Sequence, residues 1–337
     1  MPKIKEFKTL NNPTINFSAL VLCFSLSLIQ AQSVSTPIVG FNTTTIKGTG
    51  TSGQPSFASF VPVNLAKAPV LKASATALGT TVTFAGSTIS SNLNPSDGYP
   101  SHYLLLNTGS GAGLLSDITS YTSSTVTTAD DLSTYLTTPA TASIIPHTKL
   151  SDVLGTGAGL KITGGSSVNA ADNVQLVDAT GNMKVYYYKS GIGAGWKSSS
   201  NSDATGLVVY PNESILVFRK QTSNVSVTQT GSVAEQATKA VINQNLNGIS
   251  SGFPVAMTLS NLTSVLTGGT SVGGADNVLV ANPTTGKLDV VYYKTGIGAG
   301  WKTSANVNAN ATQDISDGFV VKRRSSSQAI LTQDITR

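Results

Sequence analysis

The sequence predicts an all-β protein built from antiparallel sandwich-like or barrel-like units. Short apolar segments alternate with polar residues at a period of two, which is typical of half-buried strands. Turn-forming glycine, asparagine and serine separate these segments. Charged residues make up only 11% of the chain, against about 25% in ordinary soluble domains, and this favours a β-rich exported protein over a helical cytosolic one.

One stretch occurs twice and organises the rest of the chain. Its copies span Val185–Ser199 and Val290–Thr303. Each copy combines an aromatic strand, a glycine-rich turn and a tryptophan that returns to the core. The pattern predicts a β-hairpin in each copy.

The segments around this stretch match in the same order. Ala171-Asp-Asn-Val corresponds to Ala275-Asp-Asn-Val, and the apolar segment that begins at Ile215 corresponds to the one that begins at Phe319. A period near 100 residues indicates a duplicated domain rather than a short solenoid repeat. We therefore expect four parts, which are a signal peptide at 1–31, an N-terminal β unit at 32–145, and two β repeats at 146–231 and 232–337.

The first 31 residues have the pattern of a secretory signal peptide. Lys3, Lys5 and Lys8 precede an apolar segment from Phe17 to Ile29, and Ala31 offers a cleavage point. An uncleaved anchor is the alternative. The mature chain shows no second apolar run long enough to span a membrane.

The only cysteine, Cys23, lies within the predicted leader. The mature chain would then lack disulfides, a thiolate nucleophile and a cysteine-type zinc site.

The segment Val233–Ile242 is ambiguous. Its apolar residues have helical spacing and its composition favours a helix, whereas the surrounding pattern favours a strand. We expect a strand.

A set of short motifs resembles an uncharacterised family of exported, β-rich proteins, mostly from Verrucomicrobia-like bacteria. The motifs in chain order are Gly40-Phe41, Ser101–Gly109, Pro146–Leu150, the Trp196 stretch, and Leu216–Lys220 followed by Val227–Gly231. The resemblance covers nearly the whole mature chain and implies secretion or attachment to the envelope. It implies no activity and no functional residues. The chain departs from the family pattern at Tyr210–Ser214, where a glycine-bearing turn is expected.

The aromatic residues of the repeated stretch are the candidate ligand contacts. Tyr187, Trp196, Tyr292 and Trp301 could stack on sugar rings, because Tyr and Trp combine an apolar face with a polar group. Neighbouring strand residues point to opposite faces, so each tyrosine pair cannot lie on one platform. The alternative is that the tryptophans fill the core.

Neither a cofactor nor a metal ion is predicted. The loop Gly191–Gly195 follows a strand, but no helix follows it to hold a phosphate, so a hairpin turn is the better interpretation. Asp172 and Asp276 recur at matched positions and could contribute to a calcium site. They are too few for one, and hydrogen bonds to turn backbone explain them better.

Catalytic chemistry has little support in the sequence. The histidines His102 and His147 lie among apolar residues and prolines, without a nucleophile elbow. The adjacent carboxylates Asp130 and Asp131 would diverge on a strand, which does not suit glycoside hydrolysis. We therefore predict no catalytic residues, with a hydrolase that uses one histidine and a carboxylate as a remaining alternative.

The charge pattern argues against nucleic-acid binding. The formal net charge is +5, without a basic stripe interleaved with aromatic residues. The run Lys322-Arg323-Arg324 is expected at a solvated edge. We thus expect a secreted or envelope-associated, non-catalytic structural or surface protein. A carbohydrate-binding module is the first alternative, and the partners would be polysaccharide or other envelope proteins. The sequence does not fix the oligomeric state.

Overall fold

A computed structural model describes residues 38–50 and 56–334 of the chain. Antiparallel sheets form nearly all of its regular structure, so the predicted fold class is confirmed. None of the helices in these residues is long and apolar enough to cross a membrane. The predicted signal peptide and Cys23 lie outside the described residues.

Six strands close into a barrel. They are β3 (Leu71–Leu78), β4 (Thr81–Thr83), β5 (His102–Leu106), β6 (Leu115–Tyr121), β7 (Thr125–Thr128) and β8 (Ala140–Pro146). Their order around the barrel is β3-β4-β7-β6-β5-β8. Alternate residues such as Val82, Leu104 and Ile144 point inward and form its apolar core.

The first repeat contains a five-stranded sheet in the order β12-β11-β10-β14-β2. Its strands are β2 (Phe57–Pro62), β10 (Asn173–Val177), β11 (Met183–Lys189), β12 (Gly195–Ser198) and β14 (Ser214–Arg219). Two ribbons accompany it, β1 (Val39–Ile46) with β15 (Val225–Ser232), and β9 (Thr148–Lys149) with β13 (Val208–Val209). The short helix α1 (Leu150–Leu154) follows β9.

The second repeat contains an equivalent sheet in the order β17-β21-β18-β19-β20. Its strands are β17 (Asn245–Ile249), β18 (Asn277–Ala281), β19 (Leu288–Lys294), β20 (Gly300–Thr303) and β21 (Phe319–Arg323). One ribbon accompanies it, β16 (Thr238–Ile242) with β22 (Ala329–Gln333). The ambiguous segment thus forms a strand over Thr238–Ile242, as expected.

The two repeats agree in register as well as in strand order. Tyr188 lies opposite Trp196 in the first hairpin, and Tyr293 lies opposite Trp301 in the second. Strand β2 occupies the place of β17, because both pair with the last strand of the central sheet. Likewise β1 occupies the place of β16.

Strand pairing in the first repeat crosses the predicted boundary between residues 145 and 146. Strands β1 and β2 lie in the predicted N-terminal unit, yet they pair with β15 and β14 of the first repeat. The barrel, β3 to β8, is therefore inserted in the chain between the second and third strands of that repeat. Strand pairing is non-local, so the linear order of segments does not reveal an insertion.

The two five-stranded sheets pack against each other through one apolar cluster. Phe60 and Leu216 of the first sheet meet Val320 of the second. Val217 and Val321, the next residues along the two strands, point to the opposite faces of their sheets. Val217 enters the core that contains Trp196, and Val321 enters the separate core that contains Trp301. The period-two alternation thus assigns one face of each sheet to the repeat interface and the other to its own core.

Candidate functional site

The four candidate ligand-binding aromatic residues are buried. Trp196 and Trp301 are 1% and 5% exposed, and Tyr187 and Tyr292 are 3% and 2% exposed. None of them offers a ring face to solvent, so the geometry does not support their assignment as sugar contacts. Each tryptophan instead fills the core of its own repeat, which was the alternative interpretation.

Both tryptophans also satisfy their indole N–H within the repeat. Trp196 Nε1 donates to the Gly155 carbonyl at 3.0 Å, and Trp301 Nε1 donates to Thr263 Oγ1 at 3.2 Å. Tyr188 packs edge-on against Trp196, with 5.7 Å between ring centroids. Large rings with a satisfied polar atom stabilise a core strongly.

The recurring aspartates form buried ion pairs. Asp172 Oδ2 lies 3.0 Å from Arg219 Nη1, and Asp276 Oδ2 lies 3.1 Å from Arg323 Nη1. Each carboxylate also accepts two backbone N–H groups, at 2.8 Å in every case. The expected bonds to turn backbone are therefore present. A buried carboxylate needs such partners to offset its loss of hydration.

The sequence pattern did not predict that the arginines of these pairs are buried partners of the aspartates. Arg323 is buried, whereas the run Lys322-Arg323-Arg324 was expected at a solvated edge; this expectation holds only for the two outer residues. Arg219 occupies the matching position in the first repeat. The sequence did contain a signal for the two ion pairs. In both copies an aspartate directly precedes one central strand, β10 or β18, and an arginine ends its neighbour, β14 or β21.

The glycine-rich loops are hairpin turns, as predicted. Strands β11 and β12 pair directly across the first loop. Gly191 and Gly193 have φ values of 78° and 70°, a backbone region that favours glycine. Ile192 and its counterpart Ile297 lie at the loop tips, and each is 97% exposed.

The turn at Tyr210–Ser214 contains a left-handed residue that is not glycine. Asn212 has a φ of 68°, and asparagine tolerates this left-handed region better than most residues. The turn carries Glu213, whose carboxylate Oε2 accepts the Tyr210 N–H at 3.0 Å. Burial raises the pKa of Glu213 to about 8, although that hydrogen bond opposes the shift.

His102 is arranged unfavourably for activating a nucleophile. Ser101 Oγ lies 2.8 Å from His102 Nδ1 and 2.7 Å from the Leu93 carbonyl. The serine has one hydrogen, and the carbonyl can only accept, so the imidazole must donate to Oγ. Burial, His147 and Lys67 lower the pKa of His102.

The buried His147 is linked to the carboxylate of Asp117 and, through it, to the phenol of Tyr210. Its Nε2 lies 3.0 Å from Asp117 Oδ1, and the Tyr210 hydroxyl donates to Asp117 Oδ2 at 2.8 Å. The ring of His147 packs between Tyr103 and Tyr210. Because His147 is only 3% exposed, this linkage holds Tyr210 in place rather than presenting an imidazole to solvent.

A cleft of about 800 Å³ lies where the barrel and the two repeats meet. The barrel region contributes Tyr99 and Tyr135, the first repeat contributes Tyr186 and Tyr210, and β17 of the second repeat closes the opposite side. Glu213 also lines the cleft. Here several partly or well exposed tyrosines lie together with carboxyl and amide groups.

Within residues 38–50 and 56–334, no group of three or more histidine, aspartate and glutamate side chains is placed to hold a metal ion. Comparison of the chain with protein-family models, curated proteins and solved structures finds no match in any of the three. The resemblance to exported bacterial proteins therefore stays a prediction.

Proposed function

We propose that the chain is an exported, non-catalytic structural or surface protein. The proposal rests on one observation, which is that the side chains shared by the two repeats serve to hold the fold together. Three kinds of repeated side chain are buried and bonded within the protein. They are the two tryptophans, the equivalent tyrosines Tyr187 and Tyr292, and the two Asp–Arg ion pairs. The duplication thus repeats a scaffold rather than a reactive site. The leader-like pattern of residues 1–31 supports export.

The two histidines add little support for the hydrolase alternative. Ser101 already donates its proton to a carbonyl, and His147 is enclosed by two tyrosine rings. General-base catalysis needs an imidazole nitrogen within reach of the proton that it removes.

Fractionation of the producing cell tests this proposal directly. The protein, detected by antibody, should appear in the envelope or the medium with residues 1–31 removed, as shown by N-terminal sequencing. A variant with Lys3, Lys5 and Lys8 changed to glutamate should accumulate inside the cell. Recovery of the unaltered full-length chain from the cytoplasm would refute export.

A further inference from the structure

We propose that the cleft between the barrel and the two repeats binds a neutral oligosaccharide. The inference rests on the proposed function, because an exported surface protein meets polysaccharide. It concerns a different place from the buried aromatic residues of the repeats. The volume of about 800 Å³ falls within the 300–1,000 Å³ that is usual for small-ligand sites.

Four tyrosines supply the stacking surface. Tyr99, Tyr135, Tyr186 and Tyr210 line the cleft from four separate segments, and all are partly or well exposed. A sugar ring presents C–H groups on its faces and hydroxyls at its rim, which matches the apolar body and polar tip of tyrosine. Phenylalanine and leucine would suit a purely apolar ligand better.

Three of the tyrosines are held before any ligand arrives. The hydroxyl of Tyr210 is fixed by Asp117, which His147 holds in turn. Tyr99 and Tyr186 pack against the apolar core of the first repeat. A site whose side chains are already ordered loses less conformational entropy on binding.

Hydrogen-bonding groups for sugar hydroxyls surround the rings. Gln328 donates through Nε2 to Asn243 Oδ1 at 2.8 Å, and Gln244 donates through Nε2 to the Arg324 carbonyl at 3.3 Å. The carbonyl oxygens of Gln244 and Gln328 and the amide nitrogen of Asn243 have no protein partner among the described residues. They can exchange hydrogen bonds with water for hydrogen bonds with a ligand.

The charge of the cleft selects against acidic ligands. Asp130, Asp131 and Asp178 line it, whereas the only cation among the lining residues is Lys239, which donates to the Ser110 carbonyl at 3.0 Å. Asp178 is paired with Lys184 at 3.3 Å, so Asp130 and Asp131 contribute most of the negative charge. Acidic polysaccharides would meet repulsion here.

The strand that borders the cleft leaves no room for an added peptide strand. Strand β17 pairs with β21 on one side. On its other side, the Leu246 N–H donates to the Gly181 carbonyl at 3.3 Å, and the adjoining Ser250 N–H donates to the Asn212 carbonyl at 2.8 Å. A peptide that binds by strand addition needs a continuous free edge. The geometry therefore favours a glycan over a peptide.

The test uses the secreted form of the chain in titration calorimetry. The probes are neutral hexasaccharides of glucose, mannose and galactose, a hexagalacturonate and a mixture of uncharged hexapeptides. We expect at least one neutral hexasaccharide to bind and the acidic one not to bind. Tyr186→Val and Tyr99→Ala should each weaken binding about tenfold or more, as expected for central aromatic contacts.

The protein itself supplies the controls. Valine is the residue of the second repeat, Val291, at the place of Tyr186, so the Tyr186→Val variant retains a side chain that this scaffold already accepts. Phe41→Ala removes a 75% exposed ring on β1, which does not line the cleft, and should leave binding unchanged. Unchanged thermal unfolding of each variant would exclude loss of fold.

The outcomes separate this proposal from the proposed function. Failure of every neutral hexasaccharide to bind at millimolar concentration, or equal binding by Tyr186→Val, would overturn the cleft proposal, and so would binding of the peptides alone. An exported chain that binds no sugar would leave the structural role intact. A cytoplasmic chain that binds sugar would refute export and retain the cleft.

Discussion

The two repeats share a scaffold but differ at their surfaces. In both, an aspartate and an arginine pair beneath the sheet and a tryptophan fills the core. The first repeat carries the barrel between two of its strands, and Tyr186 stands where the second repeat has the buried Val291. The cleft lies beside the copy that received the insertion. Both copies thus share their buried side chains, whereas the tyrosines of the cleft come from the barrel region and from positions at which the first repeat differs from the second.

The largest expected effect tests whether the ion pairs are equivalent. Asp172→Asn and Asp276→Asn should each lower the free energy of unfolding by about 3–5 kcal/mol, because each leaves a buried arginine without its counter-charge. Chemical denaturation measures this quantity. Asp203→Asn is the control, since it breaks the exposed Lys197–Asp203 pair and should cost about 1 kcal/mol or less. A cost below 1 kcal/mol in only one repeat would show that the pairs are not equivalent.

The tryptophan hydrogen bonds should distinguish the repeats. Trp196→Phe and Trp301→Phe should each cost about 2 kcal/mol or more through lost packing. The first should cost about 1 kcal/mol more, because the Gly155 carbonyl is left without a donor, whereas the Thr263 hydroxyl can rotate to another partner. Equal losses of unfolding free energy would contradict this difference. The double variant Trp301→Phe/Thr263→Val controls for the hydroxyl.

Glu213 should make stability depend on pH. Its folded-state pKa of about 8 lies above the ordinary 4.5, so the folded state holds an extra proton between these pH values. The free energy of unfolding should therefore fall as pH rises from about 5 to 8. We expect the loss to be about 1–2 kcal/mol, less than the full shift implies, because the partly exposed carboxylate can regain water.

Glu213→Gln removes this titration and keeps the acceptor for the Tyr210 N–H. The slope of unfolding free energy against pH should flatten, and the variant should be the more stable protein at pH 8. Ile192→Ser, at a 97% exposed position without a titrating group, should leave the slope as it is. The second repeat has a counterpart in Asp317, which lies two residues before its last central strand and whose pKa is raised by burial and by Asp314. Asp317→Asn should change the slope in the same direction.

The sequence alone could predict what is local or repeated. Period-two alternation predicted the fold class, and the twofold occurrence of the Trp stretch predicted the hairpins. Burial of both indoles was one of the two interpretations that the sequence left open. The surrounding all-β pattern also predicted a strand within Val233–Ile242, and the pairing of Thr238–Ile242 with β22 confirms it. These features depend on near neighbours or on comparison of two copies.

The remaining features depend on contacts between distant segments. Asp172 and Arg219 are 47 residues apart, as are Asp276 and Arg323, so only the recurrence of both residues in the two copies points to their pairing. The cleft collects Tyr99 from the barrel region, Tyr186 from the first repeat and Asn243 from the second. The insertion of the barrel became visible only when β1 and β2 were seen to pair with β15 and β14. Such non-local pairing leaves no mark in a single sequence.

The smallest expected effect concerns the loop tips, where the repeats agree in sequence. Ile192→Ser and Ile297→Ser should each change the free energy of unfolding by about 0.5 kcal/mol or less, because both side chains are 97% exposed and make little core contact. Val217→Ser, within the core of the first repeat, is the contrasting control and should cost several times more. A loss above 1 kcal/mol at either tip would mean that the isoleucine is covered in solution. If only one of the two variants lost stability, the two hairpins would differ despite their matching sequences. A binding partner that contacts one copy alone would then explain the difference.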